Sequence, residues 1–344
     1  MKNIAVKFTL FIIIIAFASC STPRMFTTLE TLHPAEVSFD PSVQRVLIVN
    51  NSVVQPDNVG HFDFKTFNEI EKPTNVSLKF DSAAVFCIAS LKENLEETGF
   101  FRSVDMQLKS LNTSDVFNQT ISLKPQNVKQ LCRKYGVDAL IALNNIEMED
   151  RLIKNRKNEP GALDVMVKTK WEVLYPNEKH GVAKEFVDEF SWEEYQAQEL
   201  PARYDALVDA SILSGVNISN RMIPQWEKEE RYFFTPKKGL FTQAMHAFSQ
   251  RNWKEAIQLW EQAEQEYSDA SLKFYAVNNI AIVYEIMGDL DQAISYGDYL
   301  IKLYPHVKVY STYSLDQINQ SIQYVAKLKT KREEQKLLRK QLGE

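Results

Sequence analysis

Two stretches late in the chain, Trp253-Lys254-Glu255-Ala256-Ile257 and Leu290-Asp291-Gln292-Ala293-Ile294, recur at a spacing of 37 residues. A helical pattern repeated at that period means stacked helix pairs, because a single pair cannot bury its own apolar face. Small residues stand where two helices must approach closely. These are Ala281 and Ala293 in the second copy and Ala244, Ala256 and Ala263 in the first. Bulky Leu240, Trp253, Trp260, Ile280 and Leu290 fill the space between helices, and Tyr284 fills the turn after Ala281. Gly288-Asp289 makes the bend, Pro305 ends the unit, and three extra residues near Tyr267–Lys273 lengthen the first copy. Two units are few for a stable stack, so the pattern predicts a further helix at about 314–328 that packs Leu315, Ile318, Ile322 and Val325.

The second copy resembles the 34-residue tetratricopeptide repeat. That resemblance implies an all-α, TPR-like helical-repeat domain over residues 237–328, with a protein or peptide partner along its concave face. The subset of such repeats that grips a peptide terminus uses a lysine and an asparagine. Phe241 and Met245 occupy the matching positions, so that mode is unsupported. A blander reading has the repeats only buttress the preceding domain.

The first half alternates strand and helix signals. Val46-Leu47-Ile48-Val49 reads as a strand buried on both faces. Residues 55–79, with Pro56, Gly60 and Pro73, read as a long irregular connection. Ala84, Cys87, Ile88, Leu91 and Leu95 recur at helical spacing up to Gly99, and Val104, Met106 and Leu108 alternate as a strand. A helix from about 126 to 135 stops at Gly136, and Ala139 to Leu143 follows as another buried strand. Val165 to Tyr175 and Val182 to Trp192 form a hairpin around Pro176–Gly181, and a helix from about 202 to 223 stops at Pro224. The fold class is therefore an α+β N-terminal domain, a mixed sheet with flanking helices over residues 45–226, followed by the helical repeats. Lys134-Tyr135-Gly136-Val137-Asp138-Ala139-Leu140-Ile141 and the Tyr-Pro-Asn-Glu turn at 175–178 resemble the small α/β domain of TolB-like and curli-secretion-like envelope proteins. No functional residue carries over from that resemblance.

At the N-terminus, Lys2 and Lys7 precede an unbroken apolar run from Leu10 to Ala18, closed by Phe17-Ala18-Ser19-Cys20. The run is too short to span a bilayer, which takes about 20 apolar residues. It has the layout of a secretory signal. The segment resembles a lipoprotein signal, which implies cleavage of residues 1–19 and acylation of Cys20 with palmitate-type chains. Several chains on one residue hold firmly, at about 0.8 kcal/mol per buried methylene. Residues 20–44, interrupted by Pro23, Pro34 and Pro41, read as a tether. In the Bacteroides-type lipoproteins that the chain resembles, an acidic run after the cysteine marks export to the cell surface; none follows Cys20, so the resemblance implies an outer-membrane anchor facing the periplasm.

Losing residues 1–19 removes two lysines and no acid, so the net charge moves from −5 to −7. A mildly acidic chain has no electrostatic footprint for nucleic acid. Glycine is scarce, at 10 residues, and no phosphate-cradling glycine loop appears. Cys87 and Cys132 fall on apolar helix faces and read as buried thiols; an oxidising compartment leaves a disulfide open.

Catalytic signals are missing. The five histidines are scattered, and Asp57, His61 and Asp63 make the only ligand-like cluster, read as a solvated loop. Glu185, Asp188, Glu189, Glu193 and Glu194 read as a solvent face. The residues 329–344, a charged C-terminal helix or tail, fall mostly within a Lys327–Lys340 stretch of seven basic and two acidic residues. No metal, cofactor or catalytic residue is assigned. The whole layout resembles Bacteroides-type lipoproteins with a C-terminal tetratricopeptide region, and the expected function is a non-catalytic, membrane-anchored protein-interaction module. Two alternatives stand beside it: an oligomerising outer-membrane assembly or secretion accessory, and a glycan-binding lipoprotein using Trp226, Tyr232, Phe233 and Phe234.

Overall fold

The computed structural model describes residues 23–67, 70–153, 161–178, 181–194, 199–309 and 311–344. The leader and Cys20 lie outside the described residues. Two compact units divide the chain. One joins the residues up to His33, which include strand β1 (Arg24–His33), to Trp226–Leu337; the other joins Pro34–Gln225 to Leu338–Glu344. The second is mixed α/β and the first mainly helical.

In the α/β unit the apolar run 46–49 forms β2 (Arg45–Asn50). Val46 and Ile48 enter one core while Leu47 and Val49 enter another, which is why the run is apolar at every position. The longest strand, β6 (Ala139–Ile153), runs parallel to β2 with its first half and parallel to β3 (His61–Phe67) with its second. Strand β4 (Ile70–Asn75) pairs antiparallel with β3, and β5 (Ser103–Gln107) pairs parallel with β2. On its other side β6 pairs antiparallel with β7 (Gly161–Leu174), which pairs in turn with β8 (Val182–Glu194).

Helices α1 (Ala83–Thr98) and α3 (Arg203–Met222) pack into the core that holds Val46 and Ile48. Helix α2 (Pro125–Tyr135) packs into the core that holds Leu47 and Val49. Cys87 lies on α1 and Cys132 on α2, so the two thiols sit on opposite faces of β2; both are free and buried. Burial pushes both thiols up from their ordinary pKa, leaving them protonated and unreactive. Where α3 crosses α1, Gly215 admits no side chain: a Cβ there would stand 2.4 Å from the Cys87 carbonyl oxygen.

The segment expected as an irregular connection contains the β3–β4 hairpin, and Pro73 sits on β4, at the end of the strand order where a missing N–H is tolerated. The expected tether contains β1. Pro23 and Pro34 bracket that strand rather than interrupt it.

The helical unit comprises β9 (Gln225–Phe234) paired with β1, then α4 (Gly239–Ser249), α5 (Trp253–Glu266), α6 (Ala270–Ile286) and α7 (Leu290–Leu303). A short 3₁₀ turn at Tyr304–His306 holds Pro305 and leads to α8 (Thr312–Leu342), which takes in both the helix expected at 314–328 and the charged stretch after it. Each of α4 to α6 packs on its successor. Ala244, Ala256, Ala263, Ala281 and Ala293 are all buried where these helices meet. Gly288 takes a left-handed backbone at the bend, and Asp289 caps α7 by accepting from the Gln292 amide at 3.1 Å. Trp260 stacks on Phe233 of β9, and Phe234 stacks on Tyr275 of α6.

Candidate functional site

Strand β9 lies against α6 through an unusual substitute for a neighbouring strand. Asn279, fully buried on α6, accepts from the Phe234 N–H and donates to its carbonyl, both at 2.9 Å, and Asn278 donates to the Tyr232 carbonyl at 3.2 Å. A buried strand edge must find such partners. The next layer is ionic. Glu285 of α6, fully buried, receives two bonds from Arg231 of β9, both 2.8 Å, and one from Lys331 of α8 at 2.7 Å. Arg231 also reaches Glu229 at 2.7 Å, and Lys331 reaches Thr31 of β1 at 2.9 Å. Burial pushes the Glu285 carboxyl up, but Arg231 and Lys331 together outweigh that and hold it below the usual carboxylate value. The network therefore fixes β1, β9, α6 and α8 against one another.

Beside it lies a groove of about 340 Å³, lined by residues of β1, β9, α6 and α8. Arg24 lies over two rings there, 5.3 Å from the Phe26 centroid and 4.5 Å from that of Tyr232, and donates to Gln320 at 2.8 Å. Phe26 is 56% exposed, while Tyr232 donates its hydroxyl to the Gln317 carbonyl at 2.7 Å. Burial pushes the Tyr232 phenol up to about 12, so it remains a neutral donor. Gln323 and Lys327 complete the open side. Aromatic faces, amides and cations on one rigid wall suit the holding of another molecule's polar chain.

None of the helix-pairing residues belongs to this lining. Trp253 and Tyr284 are half-buried, Tyr284 stacking on Tyr296 of α7, and Pro305 is exposed. Phe241 is buried. Of the aromatics expected as a glycan platform, Phe233 and Phe234 are fully buried core residues; Trp226 is exposed and Tyr232 is occupied as described. That platform does not exist as a surface. The basic stretch is divided in the same way: Lys331 is internal to the ionic network, and Lys329 pairs with Asp298 at 2.7 Å.

In the α/β unit, Asp57 is exposed, whereas His61 is buried on β3 and bonds through Nδ1 to Asp150 of β6. Arg203, at the start of α3, pairs with Asp150 at 3.0 Å and with Asp63 at 2.5 Å. The expected solvated cluster is thus a buried His61–Asp150 pair extended by half-buried Arg203 and Asp63, with Asp57 outside it. Among the described residues no group of three or more His, Cys, Asp and Glu side chains is placed to hold a metal. Nor do all five acids of β8 face solvent: Asp188 turns inward, accepting from Ser214 and Asn217 at 2.9 Å and from Arg221 at 2.6 Å.

An α/β sheet unit followed by helix pairs, with a polar–aromatic groove on the helical side, defines the class of this molecule. The chain belongs to the family described as domain of unknown function (DUF8603), whose model matches residues 43–234. A second model, domain of unknown function (DUF6340), matches residues 242–330. No curated protein matches the chain significantly. Among solved structures it is similar to the PelC dodecamer from Paraburkholderia phytofirmans, with 9% identity over 58% of this chain and 100% of that one, at a TM-score of 0.25. A DUF330 protein from Xanthomonas campestris shares 11% identity over 53% of this chain and 88% of that one, at a TM-score of 0.29. These TM-scores are too low to transfer fold or function. Among the described residues no helix is long and apolar enough to cross a membrane.

Proposed function

We propose that this chain is an envelope lipoprotein, anchored through acylated Cys20, that holds a protein or peptide partner on its TPR-like helical unit without catalysing a reaction. The observation that carries this reading is the groove beside β1, where the exposed Phe26 ring, the Arg24 guanidinium and the Gln320, Gln323 and Lys327 side chains face one space. The alternation of small and bulky residues across α4 to α7 supports the tetratricopeptide character of the unit. Affinity capture from detergent-solubilised envelopes tests it. The wild-type chain retains a defined partner, and a Phe26→Ala/Arg24→Ala variant of unchanged melting temperature loses it. Equal recovery from both chains contradicts the reading.

A second reading, an oligomerising assembly accessory, draws on the α/β unit. Glu149, Arg151, Asp164, Met166 and Glu189 line a cleft of about 470 Å³ on strands β6 to β8, mixing both charges with an apolar side chain. Light scattering on the lipid-free protein decides it: a discrete oligomer that Met166→Lys dissolves favours self-assembly, and a monomer removes it.

A further inference from the structure

A small cavity of about 50 Å³ opens in the α/β unit where β2 ends and α1 begins. Open α/β sheets place ligands at this position, in the crevice beyond the carboxyl ends of parallel strands. Most polar groups on its wall already have partners. Asn50 donates to the Leu108 carbonyl, Ser52 donates to Asn50, Ser110 donates to the Ser52 carbonyl, and Gln55 exchanges bonds with the Met148 backbone. Two features are left over. His61 is only 2% exposed, and its ring lines the cavity. Its Nδ1 is taken by Asp150, while Nε2 meets no partner among the described residues. The second is the start of α1, whose Ser82 makes no side-chain cap and whose first turn carries no acid. The Ala83 and Ala84 amides at that start have no acceptor within the helix.

We infer that this cavity binds a small oxyanion group, a carboxylate or a phosphate, held between His61 Nε2 and the first amides of α1. The amides of a helix start donate to such oxygens, and the helix dipole favours their charge. At His61 one proton lies between Nε2 and a ligand oxygen; Asp150, fixed by Arg203, holds the ring in the orientation that presents Nε2. The volume admits one such head group. A cavity holds a water for each roughly 10–15 Å³ of this kind of space, so a sugar ring does not fit. Asp81 at the rim pairs with Lys79 at 3.7 Å and points largely to solvent, which limits its repulsion of an anion.

The test is a titration of the full chain, observed through the imidazole resonances of its five histidines. Inorganic phosphate and acetate are added in separate arms, with sodium chloride as the ionic-strength control. The resonance absent from His61→Gln is expected to shift saturably with phosphate, acetate or both, and not with chloride. A phosphate-only response assigns a phosphate-bearing ligand, and an acetate-only response a carboxylate. In Ala83→Asp, which places a carboxylate at the helix start, the saturable imidazole shift is expected to be lost; that comparison of spectra needs no assignment and stands even where His61→Gln does not fold. A His61 resonance that follows chloride as it follows the anions, or an anion response that survives in Ala83→Asp, overturns the inference.

Discussion

Asn279 shows how a single side chain can replace a strand. Changing it to leucine leaves the Phe234 N–H and carbonyl without partners in the core, at about 1–3 kcal/mol for each orphaned group. Asn279→Leu is therefore expected to lower the urea midpoint of unfolding strongly, while Gln250→Leu, on an exposed helix end, leaves it nearly unchanged. Glu285 carries the pH dependence. Its folded pKa lies below the usual 4.5, so its contribution is fully present above that value and is lost as pH falls through the folded pKa. Glu229, which burial raises but Arg231 and Lys331 lower further, acts in the same direction. Acid titration of stability should show a loss below about pH 4.5 that is blunted in Glu285→Gln, a variant already weaker at neutral pH by about 3–5 kcal/mol. None of these partnerships was legible in the sequence. No local pattern singles out Arg231 or Glu229, because their partners, Glu285 and Lys331, stand far along the chain. His61 was legible as polar and clustered, but Asp150 and Arg203 become its neighbours only through the register of β3 on β6 and the start of α3.

Elements with a clear period were legible and their boundaries close. The helix ended by Gly99, the strand 46–49, the hairpin of β7 and β8 and the helix starting at Trp253 all follow from local patterning. Strands β1, β4 and β9 were not, for a physical reason. Pro23 and Pro34 at the ends of β1, Pro73 on β4 and the charge-dense start of β9 carry signals that ordinarily end strands. The pairing of β1 with β9 joins segments far apart in the chain, which local propensity does not encode. Close approach of elements was also hidden. Gly215 looks dispensable in a helix, yet α1 and α3 touch there backbone to backbone. Gly215→Ala, which raises helix propensity, is nevertheless expected to destabilise by about 1–3 kcal/mol through overpacking, read as a lowered denaturant midpoint. A stabilised Gly215→Ala protein would contradict the packing described.

For the whole molecule, the boundary between units does not follow the order of the chain. Strand β9 closes the stretch matched by the DUF8603 model, yet Phe233 and Phe234 bury themselves among Phe248, Trp260 and Tyr275 of the helical unit. A fragment ending at Phe234 is expected to aggregate, having lost the cover for those two rings, whereas one ending at Gln225 lacks the rings altogether. Comparing the two by light scattering checks this. Anchoring belongs to the same scale: Cys20→Ser should release the chain from the membrane fraction and leave its mass without acyl chains. The proposal that the groove holds a partner is tested most directly by placing a photo-reactive residue at Gln323 in cells and, separately, at Glu189 on the sheet face. The account predicts a discrete adduct with another protein from position 323 that disappears with Phe26→Ala. No adduct at 323, or adducts only between copies of this chain from position 189, would contradict it.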